Sequence, residues 1–447
     1  MVYPYFQPSN DNSIFRFPPL GLGYLASFLQ KHSIQVDLVD CTFLREKEAL
    51  ERVRRYKPDV IGIYSMYSMK DKSLEMARLL RQDCKLLVTG GPLPTTDPCD
   101  FLNYFDIVAI GEGEETMLEI VNHEEDHSDL SRVKGIAYKK KGKPTFTPPR
   151  VFIEDLDEIP FPAREFFDNS AYQRYYSKKF GYTTTSVMTS RGCPFKCDFC
   201  SRPVFGNGFR TRSAKNIVSE VEEVVKLGYG RIWFADDCFT LQRNRLLKIC
   251  DEIIGRGVKV QWECLSRVDT VDREVTEKMK RAGCVRVFFG IESGNDKVLR
   301  LMRKQITADK ARQAVITTKN SGIGVGAFFI VGYPGEDSKT IHDTINFASS
   351  LPLDYLSFTM PYPIPGTPLY ERVKNRIISK DWQEPKRLSI VKHKLVFRSA
   401  ISEGKLKLAI LKGMAQFELR KHLGERLYKF VGPPLEHMTD YVYNLMH

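Results

Sequence analysis

"RGCPFKCDFC", residues 191–200, places Cys193, Cys197 and Cys200 within eight positions. The spacing is C-x3-C-x2-C, and no fourth cysteine follows nearby. Arg191 and Gly192 precede the run, and Lys196 and Asp198 interrupt it, which describes an exposed loop rather than core. Structural zinc wants four closed ligands and usually pairs two short cysteine knuckles, and His123, His127 and His342 are not spaced as partners. Thiolates held in a loop also bind iron–sulfur clusters. A [4Fe–4S] cube on three cysteines keeps one iron with an open position for a small chelating ligand.

The cysteines follow directly on a strand-like stretch, "TTTSVMTS" (183–190). Five more such stretches come after them: "RIWFAD" (231–236), "VQWECLS" (260–266), "RVFFGIES" (286–293), "VGAFFIVG" (325–332) and "YLSFTMPYP" (355–363). Helical patterns such as "AKNIVSEVEEVVKLG" (214–228) separate them. Successive β-α units imply a partial parallel (β/α)6 barrel over 181–370, with active residues where strands end in loops. The cysteine loop would lie at that mouth.

Upstream, residues 1–150 alternate in the same manner. "GLGYLASFLQKH" (21–32) is an apolar-periodic helix and "IQVDLVD" (34–40) a strand. "PDVIGIYS" (58–65), "KLLVTGG" (85–91) and "FDIVAIGEGEETMLEIV" (105–121) each contain a strand that runs into small residues. The expected fold is α/β, a doubly wound, Rossmann-like sheet. Ligands in such sheets sit at the carboxyl ends of the strands. Those ends read Ser65-Met66-Tyr67-Ser68, Gly90-Gly91-Pro92 and Gly111-Glu112-Gly113-Glu114. "KKKGKPTFTPP" (139–149) reads as a charged hairpin, and "DLDEIPFPARE" (155–165) marks a linker spanning 151–180. Residues 371–447, with "GKLKLAILKGMAQFELRKHLG" (404–424), read as a small helical C-terminal domain.

The chain has 447 residues and a formal charge of +12. From Glu371 onward there are 16 Lys and Arg against 8 Asp and Glu. Such a region can meet an acidic partner, although a solvated basic face is the plainer reading. No aromatic-basic interleaving accompanies it, so nucleic acid is not expected. The opening residues lack a basic-then-apolar signal pattern, and no apolar run is long enough for a membrane span. The expectations are therefore a cytoplasmic protein, no membrane partner and no disulfide framework for the seven scattered cysteines.

C-x3-C-x2-C after the first strand of a (β/α)6 barrel resembles the radical S-adenosylmethionine (SAM) enzymes. The resemblance implies a [4Fe–4S] cluster on Cys193, Cys197 and Cys200, with SAM chelating the open iron and Phe199 near its adenine. "FADDCFT" (234–240) resembles the second-strand motif, with Asp236 and Asp237 near the SAM polar groups. Arg267, in "LSRVD" (265–269), would pair with the SAM carboxylate. Glu292 and Ser293, in "GIESGND" (290–296), would meet the ribose or amino group, and backbone at Val331 and Gly332 would hold adenine.

A doubly wound domain in front of "EIPFPARE" (158–165) and this barrel resembles the cobalamin-binding subgroup. The resemblance implies corrinoid contacts at Ser65, Met66, Tyr67 and Ser68, at Gly90, Gly91 and Pro92, and at Gly111, Glu112 and Gly113. Pro19, Leu20 and Gly21, from "PPLGL" (18–22), would cap the sheet. No D-x-H-x-x-G occurs, so the histidine ligand of the methionine-synthase type is missing. The implied activity is C-methylation of an unactivated carbon, using a 5′-deoxyadenosyl radical and methylcobalamin. A flavodoxin- or ferredoxin-type electron donor and a peptide or protein substrate would be the partners. The overall look is similar to archaeal enzymes that C-methylate residues of methyl-coenzyme M reductase, its glutamine methyltransferase included. A cobalamin-using cyclase, a tRNA methylthiotransferase-like enzyme and an electron-transfer iron–sulfur protein are the alternatives. Cys41, Cys84 and Cys99 are too dispersed for the second cluster that methylthiotransferases usually carry.

Overall fold

The computed structural model describes residues 1–7, 13–126, 129–200, 204–379 and 394–445. The chain divides into two compact units, residues 1–193 with 202–235, and residues 194–201 with 236–447.

The first unit carries a seven-stranded sheet. Its strands are β1 (Val2–Tyr3), β2 (Val39–Asp40), β3 (Val60–Tyr64), β4 (Leu86–Gly90), β5 (Ile107–Ala109), β6 (Ile136–Lys140) and β7 (Lys143–Phe146). Their order is β2-β1-β3-β4-β5-β6-β7. The first five run parallel, and β6–β7 is the antiparallel hairpin expected from the charged run. The alternation of side chains decides which face each residue fills. Ile61, Ile63 and Leu87 enter one core with Val2, Val39 and Phe101, while Val88 enters the other with Ile107, Met117 and Ile136. Burial on both faces is what a doubly wound sheet requires, at roughly 1.5–3 kcal/mol per large apolar side chain.

One expected strand is shorter than its pattern. Residues 34–40 alternate throughout, yet only Val39 and Asp40 pair, opposite Val2 and Tyr3. β1 is two residues long, so Ile34 to Leu38 have no neighbour to ladder with. β1 itself carried no pattern by which to find it.

The first unit also holds β8 (Thr184–Val187), β9 (Ser190–Arg191), β10 (Arg210–Thr211) and β11 (Arg231–Phe234). β8 and β11 pair in parallel, with Thr184 opposite Arg231 and Val187 opposite Phe234. β9 and β10 form a short antiparallel ribbon. The helix Ala214–Lys226 connects β10 to β11 and starts on Ser213, whose side chain accepts from Asn216 N.

The second unit contains β12 (Gln261–Ser266), β13 (Cys284–Glu292), β14 (Gly324–Ile330) and β15 (Tyr355–Thr359). They are parallel, neighbours in chain order, and helices intervene at Arg273–Arg281, Ala308–Asn320 and Ser338–Ser350. Each of these helices has an Asp or Thr cap, at Asp272, Thr307 and Asp337. All six strands expected of the barrel are therefore present. The C-terminal helical segment is Glu403–Leu445, bent at Gly424, where φ is +70°. It lies against Ser338–Ser350 and β15, and a Cβ on Gly413 would come within 3.0 Å of Phe358. No described helix is long and apolar enough to cross a membrane.

Candidate active site

In the first unit, a cavity of about 130 Å³ opens where β3, β4 and β5 end. Gly21, Gly90, Gly91, Gly111, Glu112 and Gly113, all named above as corrinoid candidates, line it. Its other walls are mainly apolar, including Leu22, Ile63, Met188 and Phe205. Gly91 sits at φ +116°, and a Cβ there would meet Ser65 O at 2.5 Å, so no other residue fits without moving backbone. Apolar walls and bare backbone at a strand-end crevice suit a flat aromatic group with a polar tail, such as the nucleotide arm of a corrinoid.

The other expected corrinoid residues do not line this cavity. Ser65 is buried, and its hydroxyl shares a hydrogen bond with Ser73 at 2.9 Å. Met66 leads into the turn Tyr67–Met69; Tyr67 Oη lies 3.1 Å from Thr96 Oγ1, and Ser68 is exposed. Pro92 opens the short helix Pro92–Thr96. Pro19 caps the helix Leu20–Lys31, and Leu20 packs with Tyr24, Leu156 and Ile159. A larger cavity, about 570 Å³, is lined by Asp37, Lys57, Asp59 and Lys85. It lies where β3 and β4 begin, the wrong end of a parallel sheet for a ligand.

Two buried ionic groups in this unit escaped the sequence reading. Glu112 accepts from Arg191 Nη1 at 2.9 Å and from Arg210 Nη1 and Nη2 at 3.0 and 2.9 Å, while Arg191 Nη2 donates to Glu114 at 2.5 Å. Burial works against the Arg191 charge, but Glu114 and Glu112 outweigh it. Glu220, fully buried, takes Arg164 Nη2 at 2.5 Å and also Arg212. Arg164 and Arg212 reach on to the carbonyls of Ser186 and Met188, at 2.8 Å each. Arginine and glutamate scattered through a basic chain carry no periodic signal.

The cysteine loop crosses the division between units: Cys193 belongs to the first, Cys197 and Cys200 to the second. Cys200 N donates to Cys197 O at 3.2 Å. Among the described residues, no three His, Cys, Asp or Glu side chains are already gathered to hold a metal ion. Three thiols on one eight-residue loop are still the donor set of a three-cysteine cluster, and metal binding commonly completes such a site.

Asp198 anchors the second-unit part of the loop. It is wholly buried; its Oδ2 accepts from Arg372 at 2.6 Å, its N–H donates to Met302 O at 3.0 Å, and its carbonyl accepts from Leu369 N at 3.1 Å. Arg303 Nε lies 3.1 Å from Oδ1, close enough for attraction but off the hydrogen-bond line.

Beside it, the Arg267 guanidinium stacks 3.6 Å from the Phe195 ring centroid. It donates to both Asp269 oxygens at 2.9 Å and to Lys304 O at 2.9 Å. Arg267 is thus engaged within the protein. Lys304, not anticipated from sequence, is buried, bonds Glu292 Oε1 at 2.9 Å and faces the Phe199 ring at 5.8 Å. Burial opposes its charge, but Glu292 and Cys197 outweigh that and keep it protonated. Glu292 is held at φ +73° at a register shift in the β13–β14 pairing, a conformation that non-glycine residues rarely adopt.

Ser293 Oγ bonds Thr344 Oγ1 at 2.7 Å. Asp236 is buried, 3.7 Å from Arg245, whereas Asp237 is exposed. Val331 N donates to Thr359 O, and Gly332 N and Tyr333 N both donate to Glu336 Oε2. Burial lifts Glu336 to about 7, even though those two N–H groups favour its anion.

Comparison with known proteins agrees with these features. The radical SAM superfamily model matches residues 187–348, and the B12 binding domain model matches 11–121. An uncharacterized methyltransferase of Pyrococcus horikoshii is 34% identical over 82% of this chain and 81% of its own length. The chain belongs to the radical SAM superfamily, in its B12-binding branch. As a radical SAM enzyme of the methyltransferase type, it uses a [4Fe–4S] cluster, SAM and cobalamin. An anaerobic magnesium-protoporphyrin IX monomethyl ester cyclase of Rubrivivax gelatinosus is 27% identical over 86% of this chain and 71% of the cyclase. In fold, the chain resembles the radical SAM methyltransferase TsrM from Kitasatospora setae, with TM-score 0.71, 18% identity and coverage of 84% and 74%. It also resembles the cobalamin-dependent SAM radical enzyme OxsB, with TM-score 0.75, 17% identity and coverage of 99% and 71%.

Proposed function

We propose that this radical SAM enzyme methylates an unactivated carbon of a peptide or protein residue. The observation that carries the reading is one chain combining a glycine-lined strand-end cavity with a three-cysteine loop. When bound, the cluster with SAM supplies a hydrogen-abstracting radical and the corrinoid supplies a methyl group. The protein's part is positioning. Cys193, Cys197 and Cys200 hold the cluster, and Asp198 fixes the loop that carries them. Lys304 and Arg267 set a positive field near Phe199 for the SAM carboxylate, with Glu292 and Ser293 toward its ribose or amino group. Asp236, Asp237 and the backbone of Val331 and Gly332 complete that pocket. The Gly90-Gly91 and Gly111–Gly113 turns hold the corrinoid.

The basic segment after Glu371 supports an acidic polypeptide as substrate, and a glutamine of methyl-coenzyme M reductase is the narrowest form of the proposal. A flavodoxin- or ferredoxin-type protein would supply electrons. The cyclase relative favours a second reading, ring closure without net methyl transfer. Reconstituted protein, incubated anaerobically with reductant, methyl-labelled SAM and candidate peptides, separates the two. A product heavier by one methylene and carrying label supports the proposal, and an unlabelled product of unchanged carbon count overturns it.

A further inference from the structure

The cysteine loop is tied off at its neck. β9 and β10 pair antiparallel just outside it, with Arg191 opposite Arg210 and Ser190 opposite Thr211. Inside the ribbon the two ends press together: a Cβ on Gly192, at φ +84°, would lie 2.1 Å from Gly208 O. Both ribbon arginines converge on one carboxylate. Glu112 Oε1 takes Arg191 and Arg210 at 2.9 Å each, and Oε2 takes Arg210 at 3.0 Å and Ile153 N at 3.1 Å. Glu114 takes the second Arg191 nitrogen, so two anions meet two cations with all four side chains buried.

The same groups form part of the wall of the strand-end cavity. Glu112, Glu114 and Arg191 line it, together with Tyr24 and Phe205, whose rings lie 5.6 and 5.2 Å from the Arg191 guanidinium. Arg191 is two residues from Cys193. A ligand that fills the cavity therefore presses on the carboxylate that sets both ends of the cysteine loop. A carboxylate shared by two arginines has little freedom to shift for one without the other, because each guanidinium fork fixes direction as well as distance.

We propose that Glu112 is a positioning residue coupling the corrinoid cavity to the neck of the cysteine loop, so that cobalamin binding and cluster binding change each other's free energy. The proposal rests on the cofactor reading above. Coupling between two sites is reciprocal. It predicts that wild-type protein binds cobalamin with different dissociation constants when cluster-free and cluster-loaded, by about 5- to 150-fold.

The test is a cobalamin titration of both forms, followed by absorption, with electron paramagnetic resonance of the reduced cluster before and after cobalamin. Glu112→Gln removes the shared anion. Because it leaves buried cations in excess and could fail to fold, Glu112→Gln with Arg210→Gln is the second variant, which deletes the bridge and keeps the group neutral. The expected result is a wild-type affinity difference and a cobalamin-induced change in the cluster spectrum; in the double variant cobalamin binds more weakly, since Glu112 is part of the cavity wall, but equally to the cluster-free and cluster-loaded forms. Equal affinities in wild type, or a difference that survives in the double variant, would overturn the proposal. Wild type that binds no cobalamin in either form would overturn the cofactor reading itself.

Discussion

The strand-end cavity of the first unit and the strand ends of the second are built from different materials. The cavity is shaped by backbone: Gly90, Gly91, Gly111 and Gly113 leave space, and apolar side chains line it. The second is shaped by buried charge: Asp198 with Arg372, Glu292 with Lys304, Arg267 with Asp269. The first offers a flat group backbone and apolar side chains over most of its wall, with Glu112, Glu114 and Arg191 as a charged stretch of it. The second holds a fixed field, suited to a small zwitterion and a cluster of thiolates. Shape and charge therefore fail differently when mutated.

The largest expected effect removes one side of the comparison outright. Changing Cys193, Cys197 and Cys200 together to Ala should abolish bound iron and 5′-deoxyadenosine formation, while cobalamin still binds. Continued 5′-deoxyadenosine production by that variant would break the ligand assignment.

A pH effect comes next, and it belongs to the charged region. Burial raises Glu336 from the ordinary carboxylate value of 4.5 to about 7 in the folded protein. Between those two values the native state holds a proton that the unfolded chain has released, so the contribution of Glu336 to stability is fully present below about 4.5 and is lost as pH rises through about 7. The loss across that window is on the order of 3 kcal/mol. Glu336→Gln should flatten the slope in denaturant titrations at several pH values, and an unchanged slope would move the effect to other groups.

Gly91→Val sharpens the shape side. A side chain at φ +116° facing Ser65 O should weaken cobalamin binding about 10- to 100-fold, from backbone strain and the filled space. Iron content and SAM cleavage should be retained. The smallest effect is Asp198→Asn. Its arginine partners are partly exposed, so the loss should be about 1–2 kcal/mol, read as a lower melting temperature and faster release of iron.

The sequence revealed the shape half better than the charge half. Glycines at strand ends and the cysteine spacing are local patterns, and all six barrel strands announced themselves by apolar runs. Strand 34–40 was overread because pairing depends on the partner β1, which is two residues long. Arg267 was legible as a strand-end cation, but its pairing with Asp269, two residues on, was not. Lys304, Glu112 with Arg191 and Arg210, and Glu220 with Arg164 and Arg212 join residues far apart in the chain, and nothing in residue type alone marks such pairs. That Ser65 to Ser68 end β3 was legible from the apolar run before them, but the hydrogen bond of the Ser65 hydroxyl with Ser73, eight residues on, was not.

The central claim is that one chain carries both cofactors in two separately built places. Metal analysis of anaerobically reconstituted wild-type protein tests it directly. The account predicts about four irons and about one cobalt per chain, with the cysteine variant losing only iron and Gly91→Val losing only cobalt. Iron without cobalt in wild type, or both metals lost together in either variant, would contradict it.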